Sequence, residues 1–198
     1  EFTQADIEMS FVTAEDLFAL IEKMFVAVFR AAHGVEISTP FPRLTHREAM
    51  DRFGSDKPDT RWAQEIVDVG DIFAGTEFKV FRGALDSGGV VRALNAKGLA
   101  KITTGQIEEL TEMAKQFGAK GLAFIKCENG EWKSPIVKFF TDAEKAALQE
   151  RLKMEEGDLV LFGADKWEIV CEVLGRVRLR AVELIGLTHD PKCLDFLW

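Results

Sequence analysis

Three cysteines, Cys127, Cys171 and Cys193, are all that the sequence offers, and no two share the spacing of a CxxC or Cys/His metal site. An odd number of distant thiols reads as reduced cysteines in a reducing compartment. No apolar run approaches the roughly 20 residues of a membrane span. No signal-peptide pattern opens the chain. Gly83, Gly88 and Gly89 form neither a GxGxxG nor a P-loop, which excludes a phosphate cradle of that kind. His33, His46 and His189 stand apart, with no Ser, Cys or carboxylate at the spacing of a catalytic triad or metal set. Positive charge is also scarce: the net charge is −8, which argues against non-specific phosphate binding by the chain as a whole.

Apolar residues make up 47% of the chain and charged residues 29%, the balance of a folding domain with a real core. No repeat or low-complexity stretch appears. EFTQADIEMSF, the first eleven residues, reads as a strand. Thr13 is a good N-cap, with Glu15 and Asp16 in the first turn. Leu17, Leu20, Ile21, Met24, Phe25 and Val28 recur at helical spacing and Gly34 closes the pattern, so 13–33 is expected to be a helix buried on one side. Thr45 with Glu48 predicts a short helix over 45–53. FGSDKPDTRW is rich in turn residues and has the look of a boundary or a working loop.

Residues 63–74 are expected to be helical or irregular. FKVFRGAL and VVRALNAK, separated by DSGG, read as a β-hairpin. Thr103 with Gln106 opens a helix to about Phe117, stopped by Gly118. GLAFIKCE is a strand and SPIVKFF a short extended run. Thr141 with Glu144 opens a helix ending near Lys153. DLVLFGA is a buried strand, and Asp165 with Glu168 is expected to cap a last helix, 166–185. Arg176, Arg178 and Arg180 of that helix read as a solvated face, with RNA contact as the alternative. These elements predict a compact α+β unit over 63–188, preceded by a first unit over 1–62 and followed by a new start at 189–198.

On an extended chain Gln4, Asp6 and Glu8 share one face, with successive carbons about 7 Å apart. That face either grips an ammonium group, or Mg²⁺ through water, or is a solvated strand surface. It carries no Lys or Arg, whereas solvent faces usually mix charge signs. Asp56 and Lys57 could reach a ligand from their loop, although turn chemistry alone accounts for the Gly, Ser, Asp and Pro around them. Between Phe78 and Lys101 the cations Lys79, Arg82, Arg92, Lys97 and Lys101 stand against Asp86 alone. They make a local basic patch inside an acidic chain and are candidate nucleic-acid contacts.

EFTQADIEMSF resembles the second half of motif 2 in bacterial-type aspartyl-tRNA synthetases, and the likeness continues in order. It runs through PFPRLTHREAMDRFGSDKPDTRW, GGVVRALN, FGAKGLAFIK, SPIVKFF, GDLVLFGADK and LGRVRLRAVELIGL to LDFLW. The middle resembles the GAD domain inserted between motifs 2 and 3 of those enzymes. The resemblance implies an α+β fold. Residues 1–62 would be part of a class II antiparallel-sheet catalytic domain, 63–188 an inserted two-layer α/β GAD (DCoH-like) domain, and 189–198 a return to the catalytic domain.

It further implies aspartate–tRNA ligase activity in the cytoplasm, with aspartate, ATP, Mg²⁺ and tRNA(Asp) as partners of a homodimer and no membrane. Asp6 would bind the substrate α-ammonium, with Gln4 and Glu8 lining the aspartate and adenylate pocket. The motif 2 arginine that holds ATP would precede residue 1, so the chain reads as an internal piece expected to be inactive alone, with no ligand bound to it. A different class of reading is a stand-alone GAD-type RNA- or protein-binding module, as in an archaeal glutamyl-tRNA amidotransferase subunit. A motif 2 strand at the start of the chain favours the synthetase.

Overall fold

The computed structural model describes residues 2–188 and 193–198; the expected positions of Glu1, His189 and the segment 190–192 lie outside the described residues. The chain divides into two compact units, one within Glu1–Leu44 and Asp190–Trp198, the other Thr45–His189.

In the first unit Thr13 and Asp16 cap each other reciprocally, and α1 runs over Ala14–His33 until Gly34 turns left-handed. The helix is where the spacing places it, but its apolar stripe is only partly covered: Leu17 is 41% exposed and Val28 54%. The buried residue of α1 is Glu22. Glu22 accepts hydrogen bonds from the Phe41 backbone N–H and the Trp198 indole N–H, both at 3.0 Å. Phe25, Phe41 and Phe196 meet around it with centroids 5.2–6.4 Å apart. The Trp198 N–H donates to the Pro42 carbonyl (2.9 Å) and the Leu44 N–H to that of Trp198 (2.8 Å). LDFLW therefore closes on PFPRL rather than standing as a separate start. Residues 2–10 are exposed and belong to no strand, a departure from the expected strand. An isolated extended segment has no neighbour to satisfy its ladder of backbone groups.

The second unit begins earlier than the expected boundary at 62, because α2 (His46–Phe53) belongs to it. Its single sheet is wholly antiparallel, in the order β1-β2-β5-β3-β4. The strands are β1 Ile66–Asp68, β2 Val90–Ala96, β3 Ala123–Glu128, β4 Glu131–Lys133 and β5 Leu159–Asp165. The helices are α3 Lys79–Asp86, α4 Thr104–Gln116, α5 Asp142–Leu152 and α6 Trp167–Ile185. The capping boxes at Thr45, Thr103 and Thr141 all form. Central β2 and β5 are apolar on both faces, and both faces are covered. Leu94, Ala96, Leu159 and Leu161 pack beneath α4 and α6. Val91, Ala93, Val160 and Phe162 face Phe73, Phe81, Phe140 and Leu148. The unit thus has helices on both sides of the sheet, instead of the expected two layers.

Four local expectations change. FKVFRGAL is helical, not the first arm of a hairpin: Phe78, Phe81 and Leu85 recur at three and four residues and point into the core, while Val80 is 57% exposed. SPIVKFF contains a 3₁₀ turn, Val137–Phe139, that delivers Ile136 and Phe140 to the core. Residues 63–74 supply the edge strand β1, and β4 was not anticipated at all. No side chain caps α6, since the Asp165 carboxylate accepts the Lys166 N–H (2.8 Å) before the helix begins.

Helices α2 and α6 approach closely at two glycines. A Cβ on Gly54 would lie 2.2 Å from the Cys171 carbonyl oxygen, and one on Gly175 would lie 2.5 Å from the Gly54 carbonyl oxygen. Gly54 also has φ +68. Gly54→Ala is expected to destabilise the second unit by roughly 3 kcal/mol or more, combining left-handed strain with a backbone clash. Gly34→Ala, with φ +64 and open space around it, should cost only ~1–3 kcal/mol; urea midpoints compare the two. Gly83 lies inside α3 with nothing near its missing Cβ. Gly83→Ala should therefore raise stability by about 0.5–1 kcal/mol at unchanged m-value. A loss of stability would contradict the helix.

Candidate functional site

A connected set of specific contacts lies where FGSDKPDTRW crosses α6. Arg178 is 1% exposed. Its Nε donates to the Gln64 carbonyl (2.5 Å), and one Nη2 donates to the carbonyls of Trp62 (2.5 Å) and Asp59 (2.7 Å). The Phe53 ring lies 5.1 Å from its guanidinium carbon. Burial lowers the Arg178 pKa, and the nearby Asp59 and Glu65 carboxylates oppose that shift. Arg176 and Arg180 face solvent as expected, paired with Glu172 and with Glu109 and Glu183. The expected solvated face therefore excludes Arg178. Two residues along a helix is a rotation of about 200°, so the middle arginine of RVRLR points away from the other two.

Around this centre Arg52 pairs in a fork with Glu65 (2.6 and 2.8 Å), and Arg61 pairs with Asp59 (2.6 and 2.8 Å). These bonds hold the Glu65 and Asp59 carboxyls below their ordinary values, against some burial. Asp51 accepts from the Trp167 indole (2.7 Å), Arg47 (2.9 Å) and Arg92 (2.6 Å). Burial alone would raise its carboxyl; the Trp167 and Arg47 hydrogen bonds and the Arg92 charge outweigh it. A groove of about 470 Å³ opens beside the loop, lined in part by His46, Met50, Ser55, Lys57 and Arg176. Asp56 and Lys57 are exposed at the loop tip. The Lys57 N–H donates to the Ser55 hydroxyl (3.1 Å). Neither side chain has an ion-pair partner among the described residues.

The other sequence-predicted residues are dispersed. Gln4, Asp6 and Glu8 lie in the exposed segment of the first unit. Of the five cations between Phe78 and Lys101, Arg92 is 5% exposed and is spent on Asp51 and Asp68. Lys97 is paired with Asp158 (2.9 Å) and Glu155 (3.2 Å). Arg82 donates to the Thr76 carbonyl (2.7 Å). Only Lys79 and Lys101 stand exposed without such partners among the described residues. Two members of the basic patch counted along the chain are thus taken up within the fold: β2 carries Arg92 inward, and a carboxylate cluster pairs with Lys97.

Burial pushes the thiols of Cys127 and Cys171 up to about 11, which makes them poor nucleophiles. Among the described residues no group of His, Cys, Asp and Glu could hold a metal ion, and no helix is long and apolar enough to cross a membrane. Sequence reasoning missed Arg178 as the buried centre of these contacts. Its signal was present: an arginine on the helix face shared by Leu174, Gly175 and Ala181.

Residues 81–174 match the GAD domain family. Over its whole length the chain is 51% identical to an aspartate–tRNA(Asp/Asn) ligase of Opitutus terrae and 51% identical to an aspartate–tRNA ligase of Geobacillus kaustophilus. It is 45% identical to an aspartate–tRNA ligase of Shouchella clausii. The chain covers 34% of each of these proteins, about a third of their length. The similarity extends well beyond the GAD match on both sides, through FGSDKPD before it and Arg178 after it. Residues 81–174 are therefore similar to a GAD domain, and the chain as a whole is similar to a stretch of about a third of bacterial aspartate–tRNA ligases.

Proposed function

We propose that this chain is part of an aspartate–tRNA ligase, which activates aspartate with ATP to an aspartyl-adenylate and passes the aspartyl group to the 3′ end of tRNA(Asp). The observation that carries this reading is identity of about half the residues across the full chain to enzymes of that name. The same observation weighs against a stand-alone GAD module, for which residues 1–80 and 175–198 would have no reason to match.

In this reading the first unit contributes to a class II catalytic domain. Residues 2–10 become a strand when a neighbouring strand pairs with them. Strand formation then places Gln4, Asp6 and Glu8 on one face. Asp6 supplies the carboxylate that holds the α-ammonium of aspartate, and Gln4 and Glu8 line the same pocket. Fixing the ammonium rigidly orients the substrate carboxylate toward the α-phosphate of ATP, and positioning of this kind can lower a barrier by several kcal/mol. Mg²⁺ would accompany ATP and neutralise its phosphates. The described residues offer no ligand set for it, and no step of this chain is assigned to it. Asp56 and Lys57 meet a ligand or the tRNA from their loop. Lys79, Arg82 and Lys101 remain as tRNA contacts, while Arg92 and Lys97 are committed within the fold. The parent enzyme is a cytoplasmic homodimer.

The full-length protein is expected to exchange pyrophosphate into ATP with aspartate and not with asparagine or glutamate; exchange driven by another amino acid would overturn the reading. Asp6→Asn in that protein should raise KM for aspartate by roughly 30-fold or more, the loss expected on removing one member of a close charge pair. KM for ATP should change little. An unchanged KM for aspartate would remove Asp6 from the pocket.

A further inference from the structure

The loop that carries Asp56 and Lys57 is held at both ends by one helix. At its start Gly54 rests on Gly175, so closely that neither position has room for a Cβ. At its end the carbonyls of Asp59, Trp62 and Gln64 converge on the Arg178 guanidinium. Gly175 and Arg178 are three residues apart on α6 and so lie on one side of it. Between the two anchors only 55–58 is unclamped, and this stretch carries the two exposed charged side chains. Pro58 further restricts Lys57 to extended backbone.

The energetics make this a strong tether. The guanidinium is buried, and carbonyl dipoles, rather than a bonded carboxylate, supply its hydrogen bonds. If the loop leaves α6, a desolvated cation is left without acceptors, which is far costlier than losing the same bonds at a surface. A lysine could not replace it, because one ammonium lacks the planar fork that reaches carbonyls from two nitrogens. Helix α6 is in turn fixed to the sheet of the GAD unit by Val170, Val173, Leu174 and Val177.

We propose that the GAD unit serves as the seat of the 54–64 loop, with Arg178 as the positioning residue that sets where Asp56 and Lys57 are presented to ligand or tRNA. The functional half of this inference rests on the reading that the loop tip touches a ligand or the tRNA. It gives the inserted domain a definite role, mechanical support for a neighbouring site, with no need for an RNA-binding surface of its own.

Two variants test it. Arg178→Lys keeps the charge and removes the fork, and Gly175→Ala disturbs the other anchor while leaving the guanidinium. In this chain both are expected to raise hydrogen exchange of the 55–64 amides by about tenfold or more, the scale of a lost hydrogen bond to a charged group, over and above any rise in β2 and β5 that follows the change in global stability. Unchanged exchange at 55–64 overturns the proposal. So does a rise across β2 and β5 equal to that at 55–64 with both variants, because Arg178 would then serve the fold as a whole. In the full-length ligase Arg178→Lys should lower kcat/KM for aminoacylation by about the same factor as Lys57→Ala. The double variant should be no worse than either alone, since both act through one loop. Additive losses would place Arg178 on another route. Raised loop exchange together with wild-type kinetics for Asp56→Ala and Lys57→Ala would uphold the seat and remove the loop tip from the site.

Discussion

A buried guanidinium must find acceptors in fixed places, and in the second unit that requirement is met by a loop. Arg178 sits inside the fold, and the backbone carbonyls of Asp59, Trp62 and Gln64 point at it. Removing such a cation from water costs several kcal/mol, which only good geometry repays. The loop's path, the position of β1 just beyond Gln64, and the attachment of α2 to α6 all follow from satisfying that one group. The close approach at Gly54 and Gly175 permits it, because two glycine backbones in contact let the loop come within reach of the arginine.

The sheet provides the rigidity behind this arrangement. Its central strands β2 and β5 are apolar on both faces and pair along seven residues in register, from Val90 with Asp165 to Ala96 with Leu159. Helix α6 lies on one face with Val170, Val173, Leu174, Val177 and Ala181 buried against the core. Movement of Arg178 would therefore mean movement of the core, and a loop anchored to it inherits that stiffness. Binding or catalytic residues gain precision when carried in this way. In the first unit a single carboxylate plays a comparable part. Glu22 draws the Phe41 backbone and the Trp198 indole onto α1 and gathers an aromatic cluster around them.

Much of this was legible along the chain, and the parts that were not have physical reasons. Thr45, Thr103 and Thr141 each announced a helix start because a reciprocal cap needs only residues three apart. DLVLFGA announced a strand because burial on both faces leaves a near-continuous apolar stretch, and GLAFIKCE did so through alternation about Ile125 and Cys127. FKVFRGAL failed as a strand because eight mixed residues satisfy either period, and only the partner surface decides between them. Arg92 and Lys97 counted as cations in the sequence, whereas their partners Asp51 and Asp158 are 41 and 61 residues away. The burial of Arg178 was legible from its helix face, but its acceptors were not: they are backbone carbonyls more than 110 residues earlier, and no side-chain pattern reveals them. The face of Gln4, Asp6 and Glu8 was visible as a pattern, but the strand that would present it depends on neighbours to pair with.

The central claim is that Arg178 is bonded to the loop through its Nε and one terminal nitrogen. Side-chain NMR of the chain labelled with ¹⁵N-arginine tests this most directly. The account predicts an Arg178 Nε–H resonance whose solvent exchange is slowed by at least about 100-fold relative to that of exposed Arg176, as expected for a buried charge-assisted hydrogen bond. Exchange of the Arg178 Nε–H at the rate of Arg176 would contradict it.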